Sequence, residues 1–131
     1  KYATIQVIEL PDENIPENAS AKEIENIQKL EAEKIKKQIK AQDYTIALDL
    51  TGKQLSSEEF AEKIQDITLK GYSTINFVIG GTTGLSREFV TNSNYVFSFS
   101  KLTFPHQLIR LFLTEQIFRA FKIIHHERYH W

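Results

Sequence analysis

The run Ser98-Phe-Ser-Lys-Leu-Thr-Phe-Pro-His-Gln-Leu-Ile-Arg-Leu-Phe-Leu-Thr-Glu-Gln116 decides the fold, because it leaves a strand, crosses a polar turn and restarts as a helix. Tyr95-Val96-Phe97-Ser98 reads as the strand. Pro105 suits the first position of the helix, since its φ is preset and it has no N–H to leave unpaired. Thr103 stands upstream as the expected cap. Beyond Pro105, Leu108, Leu111, Phe112, Ile117, Ala120, Phe121 and Ile124 recur at three- and four-residue steps, one apolar stripe on a helix of about five turns. A loop that ends at a helix start directs unpaired backbone N–H groups at whatever lies beside it. With His106, Gln107 and Arg110 in the first turns, this stretch makes a floor for a small-molecule site.

Working outward, Thr4 to Leu10 alternates and predicts a strand, and Pro11 to Ala19 a loop. Ser20-Ala21-Lys22-Glu23 is a capping box that opens a helix with Ile24, Ile27, Leu30, Ile35 and Ile39 on its inner side. Lys34, Lys36, Lys37 and Lys40 sit near that helix's end, where cations suit the dipole, and read as a solvated terminus. Tyr44 to Leu50 predicts a strand and Thr51-Gly52-Lys53 a turn. Ser56-Ser57-Glu58-Glu59 is a second capping box, followed by Phe60, Ala61, Ile64 and Ile67 on one face, with Gly71 placed to close the helix. Ser73 to Ile79 predicts a strand covered on both faces, and Ser86 to Asn92 a short helix. Strands alternating with helices call for a parallel sheet flanked by helices, an open three-layer α/β fold in a single domain over 1–131.

A length of 131 residues is enough for one core and short for two domains. There is no run of eighteen apolar residues, hence no membrane-spanning helix of the usual length. Zero cysteines exclude disulfides, thiolate metal sites and a cysteine nucleophile, and fit a reducing compartment. A net charge of −1 argues against indiscriminate nucleic-acid binding, yet residues 1–100 carry −4 and residues 101–131 carry +3, with all four histidines in the latter. A phosphate-bearing partner would meet that C-terminal end, although the same charge on one helix is also ordinary surface.

Ligands of open parallel sheets bind beyond the carboxyl ends of the strands. Three such ends are polar or glycine-rich: 48–52, 80–84 and 99–104. Gly80, Gly81 and Gly84 do not have the spacing of a dinucleotide loop, and no Gly-Lys-Ser/Thr follows, so a P-loop is excluded. Taken alone, the glycine group reads as a tight turn. His106 at a helix start is a proton acceptor or relay, or a packed histidine. The adjacent His125 and His126 lack metal-ligand spacing, and no metal is expected.

The segment 98–123, with Phe77-Val-Ile-Gly-Gly81 and the closing Arg128-Tyr129-His130, resembles the RlmH family of the knotted SPOUT superfamily over essentially the whole chain. These are methyltransferases acting on a pseudouridine of large-subunit ribosomal RNA. The resemblance implies a C-terminal trefoil knot, which no periodicity reveals. It implies S-adenosyl-L-methionine held by Leu48, Gly80 and Phe99, Ser100, Lys101, Leu102, Thr103 and Phe104, with Gly81 shaping the loop. It implies a cytoplasmic homodimer working on N3 of the base in assembled ribosomes. His106, Tyr129 and His130 are the candidates for taking the proton, solvent being the alternative, and Arg110 the candidate for positioning RNA. The family commonly ends in a basic residue where this chain has Trp131, which shifts the tail toward base stacking. In the family a strand and a helix precede the point where this chain starts at Lys1, so a missing N-terminal strand and helix are expected. Two rivals stay open: a non-catalytic knotted module that binds ribosomes or RNA, and an unrelated nucleotide-binding protein of flavodoxin type.

Overall fold

The computed structural model describes residues 3–128. Helix α1 spans Ala21–Lys36 and α2 Ser57–Leu69, and both start where their capping boxes put them. Ser20 Oγ accepts from Glu23 N–H while the Glu23 carboxylate accepts from Ser20 N–H, and Ser56 and Glu59 repeat the pattern. Each box satisfies two donors that a helix start leaves unpaired. Past the end of α2, Gly71 takes φ of +99°, a conformation that costs an L side chain and that glycine adopts freely. The remaining elements are β1 (Tyr44–Lys53), β2 (Ile75–Ile79), α3 (Arg87–Asn92, capped by Ser86), β3 (Tyr95–Phe97) and α4 (His106–Ile124).

The three strands form one parallel sheet in the order β2-β1-β3. Neighbouring residues of the central strand point to opposite faces, and Ile46 and Ala47 are both fully buried, so β1 is covered on both sides. On one face Ile46 and Phe97 pack with Phe60, Ala61, Ile64 and Ile67 of α2 and with Leu113 and Ala120 of α4. Phe60 stacks on Phe97 at 5.3 Å between centroids. On the other face Ala47 and Val78 meet Ala32 of α1, Leu85, and Phe89 and Val90 of α3. Each large side chain buried this way contributes about 1.5–3 kcal/mol. The result is the expected three-layer α/β arrangement, a parallel sheet between two pairs of helices.

Four expectations are corrected. Thr4–Leu10 is not a strand: among the described residues no strand pairs with it, and Ile5, Val7 and Ile8 are each about half exposed. An alternating pattern makes a strand only where a sheet edge accepts its hydrogen bonds. Thr51-Gly52-Lys53 does not turn but continues β1, with a register irregularity against β3 between Leu48 and Lys53. A Cβ on Gly52 would lie 2.6 Å from the Val96 carbonyl carbon, so this glycine serves close strand packing. At the start of α4, Pro105 is the cap itself, with ψ of 144° and its carbonyl accepting from Leu108 and Ile109 N–H, and no side chain caps the helix. Thr103 therefore has no capping role. Finally, the stripe on α4 divides. Ile117, Ala120, Phe121 and Ile124 join the core, together with Leu113, which the stripe left out, whereas Leu108, Leu111 and Phe112 stay exposed, as does Leu30 on α1.

Candidate active site

Parallel pairing sets Leu48 beside both Ile79 and Phe97, so all three strands reach the same carboxyl edge. The segments 80–86 and 98–105 consequently leave from one side of the sheet, beside the continuation of β1 through 49–53. The two glycines after β2 are not equivalent. A Cβ on Gly80 would stand 2.8 Å from backbone atoms of both Gly84 and Leu85, which cannot yield without unfolding the turn. A Cβ on Gly81 would meet the Asp12 carboxylate at 2.6 Å, the far end of a side chain that can swing away. Gly84 closes the turn at φ of +80°, and its N–H donates to Gly81 O.

Two side chains grip this loop. From α1, Gln28 Nε2 donates to Thr83 O at 2.7 Å. From the first residue of α3, Arg87 donates to both oxygens of Asp49, at 2.6 and 3.1 Å, and reaches Leu85 O at 3.3 Å. Asp49 also accepts from Thr51 N–H and its hydroxyl. The Arg87 fork is the main reason that the Asp49 carboxyl is held down at about 2, with burial acting the other way and Thr51 adding to the effect. The same pair raises the Arg87 guanidinium above its ordinary value. Thr83 Oγ1 is buried with no hydrogen-bond partner among the described residues.

The third segment is shaped from within. Ser98 N–H donates to Lys53 O, Ser98 Oγ to Ser100 O, and Leu102 N–H to Ser100 Oγ. Among the described residues, no hydrogen bond takes the backbone N–H of Phe99, Ser100, Lys101, Thr103 or Phe104. Phe99, Ser100 and Phe104 line a cleft of about 640 Å³ with Leu55, Phe60, Leu111 and Phe112 as its apolar walls. Phe104 meets Phe112 edge-on at 5.6 Å, and Phe99 tilts against Phe97 at 5.0 Å. The cleft does not take in Leu48, Gly80 or Gly81, so the sequence-predicted residues share an edge while only part of them line this cavity. Lys101, Leu102 and Thr103 are exposed.

His106 is the first residue of α4 and is exposed, one turn before Arg110. Arg110 pairs with Glu9, which draws the N-terminal segment toward α4. Glu13 ties the same segment to α1 by pairing with Lys34 and by donating its N–H to Glu31. Tyr129 and His130 lie outside the described residues.

Sequence reading missed Gln28, Asp49 and Arg87 as site residues. A signal existed for two of them. Gln28 sits four residues after Ile24 and before the buried Ala32, so a polar group shares the apolar face of α1 and must find a partner. Arg87 places a cation in the first turn of a helix, where the dipole disfavours it unless an anion is near. Which anion answers it is a matter of chain path, invisible in local spacing.

Comparison with known proteins adds the following. The family described as "Predicted SPOUT methyltransferase" matches residues 1–130. A "Ribosomal RNA large subunit methyltransferase H" of Clostridium botulinum is 52% identical over 130 residues, 99% of this chain and 82% of the relative. Proteins of the same description from Carboxydothermus hydrogenoformans and Halothermothrix orenii are 53% and 48% identical over 129 residues, each covering 98% of this chain and 81% of the relative.

Proposed function

The chain belongs to the SPOUT methyltransferase family, and from that premise we infer that it is a methyltransferase of large-subunit ribosomal RNA. The observation that carries this is identity of about half the residues over nearly the whole chain with relatives so described. The finer reading, which we propose, is transfer from S-adenosyl-L-methionine to N3 of a pseudouridine, at the carboxyl edge of the sheet. We propose likewise that β3, the segment 98–105 and α4 form the knotted part of the family fold.

The residues present suit such a donor. Half-buried Leu48 offers an apolar wall. The bare backbone at Gly80 and the N–H groups of Phe99, Ser100, Lys101, Thr103 and Phe104, unpaired among the described residues, can meet the edge of an adenine and its sugar. When bound, the donor supplies a sulfonium methyl group that is already activated toward displacement. The chain's task is then to hold donor and base in line, and positioning supplies most of the rate. The base nitrogen must lose one proton, for which His106, Tyr129 and His130 are the candidates. Arg110 and the +3 charge of residues 101–131 favour a phosphate backbone near the start of α4. For Arg110 to serve, its pairing with Glu9 gives way to a phosphate.

The test is methyl transfer from labelled donor to ribosomes and to isolated large subunits, for the wild type and for G80A and G81A. We expect incorporation at one nucleotide, a loss of at least a hundredfold in kcat/KM for G80A, and less than a tenfold loss for G81A. Equal effects of the two substitutions would remove the glycine loop from the donor site, and no incorporation into either substrate would overturn the reading as a whole.

A further inference from the structure

We propose that Gln28, on the helix α1 that also sets the Glu31 carboxylate beside Gly81, is a positioning residue that sets the affinity for the methyl donor through the glycine-rich loop. This rests on the carboxyl-edge reading of the donor site. The loop from Gly80 to Leu85 leaves β2 beside Leu48 and must present a fixed backbone surface, since Gly80 offers only main chain to a ligand. The loop does not hold its shape by its own bonds alone. Within it one backbone hydrogen bond, Gly84 N–H to Gly81 O, closes the turn, and Thr83 buries a hydroxyl that has no partner among the described residues. A buried hydroxyl left unpaired opposes the conformation that buries it.

Two contacts from outside offset this. Arg87 fixes the far end at Leu85 O while locked to Asp49. Gln28 fixes the tip, its amide donating to Thr83 O across 55 positions of sequence. Arg87 is half a turn from the loop in sequence and moves with it, whereas Gln28 belongs to α1, whose Ile27 and Ala32 are buried in the body of the protein. The tip is thereby referenced to the core. Without the amide, the tip keeps an unpaired hydroxyl and gains an unpaired carbonyl, and the loop exchanges among shapes of which one binds the donor. Affinity then falls by the fraction of time spent in that shape.

The test is calorimetric titration of S-adenosyl-homocysteine and S-adenosyl-L-methionine into the wild type, Q28E, Q28M and Q28K, with melting temperatures alongside. Q28E and Q28M keep the length and lose the donor, and either one serves if the other fails to fold. Q28K keeps a donor of similar reach. We expect Kd to rise about tenfold in Q28E and Q28M and to return to within threefold of the wild type in Q28K. Donor affinity unchanged in Q28E and Q28M, or lowered equally in all three variants, overturns the proposal. A wild type that binds neither ligand overturns the donor-site reading itself, and Gln28 with it.

Discussion

Thr83 shows how a single atom can report on a loop. Its hydroxyl is buried and has no partner among the described residues, while its carbonyl is taken by Gln28. Leaving a buried hydroxyl unpaired costs about 1–3 kcal/mol, and removing it with its shape kept can stabilise. T83V is therefore expected to raise the free energy of unfolding in urea, by up to about 1 kcal/mol once the lost polar contacts of the unfolded state are counted. A fall of the same size would show that the hydroxyl is satisfied in solution. Asp49 makes a different prediction. Its carboxyl is held at about 2 by Arg87, below the ordinary 3.8. A depressed carboxyl stabilises the fold above its ordinary value and loses that contribution as pH falls through the folded one. The window here runs from about pH 4 down to about pH 2. Because Arg87 is well exposed, solvent screening limits the pair to about 1 kcal/mol. Wild type and D49N, unfolded in urea at pH 7, 4 and 2.5, are expected to differ most at pH 7 and to converge at the lowest pH. A constant gap across that range would mean that the ion pair is not its source.

At the scale of elements, what could be read depended on how local the signal was. Both capping boxes and the glycine closing α2 stood out because each acts within four residues of itself. The three strands of the sheet stood out because β-rich runs bounded by turns have few other uses. Thr4–Leu10 carries as good an alternation as any of them and is no strand, since pairing needs an edge and alternation cannot supply one. Its Glu9 and Glu13 instead fasten it to α4 and α1. Gly52 was open to misreading for a related reason: a glycine between polar residues reads as a turn, and only the path of β3 reveals that backbone needs the space. The long helix α4 was found as an element, but its stripe hides two functions. Its C-terminal half packs on α2, with Ser57 Oγ donating to Gln116 Oε1 at 2.9 Å near the division. Its N-terminal half turns apolar side chains to the cleft and to solvent. Of the candidate site, the segments after β2 and β3 were legible as strand ends, whereas 48–52 is strand, and the side chains that hold the loops were not legible because Gln28 and Arg87 act across the fold.

At the scale of the molecule, the described residues leave apolar side chains exposed along α4 and the segment before it. Leu102, Leu111 and Phe118 are 69%, 63% and 47% exposed, Leu108 and Phe112 a little over a third, and all five lie on α4 or the segment leading to it. Of the aromatic residues on that helix, Phe121 packs against the core and does not belong to this set. Scattered apolar residues are ordinary on a protein surface, but a group on one element marks a place where something docks. We propose that the occupant is a second copy, which would bring α4 and the segment 98–105 of two chains together. Covering each such side chain contributes about 1 kcal/mol or more, so a single charge at the centre should be decisive. Light scattering behind gel filtration is expected to give about twice the 15.2 kDa of one chain for the wild type. L111E should run near the mass of one chain at the same micromolar concentration. Leu111 is already exposed within one copy, so L111E should keep the helical circular dichroism of the wild type while its melting temperature loses the dependence on protein concentration that a dimer shows. A wild type at single-chain mass would set the dimer aside. A dimer surviving in L111E would move the interface off α4.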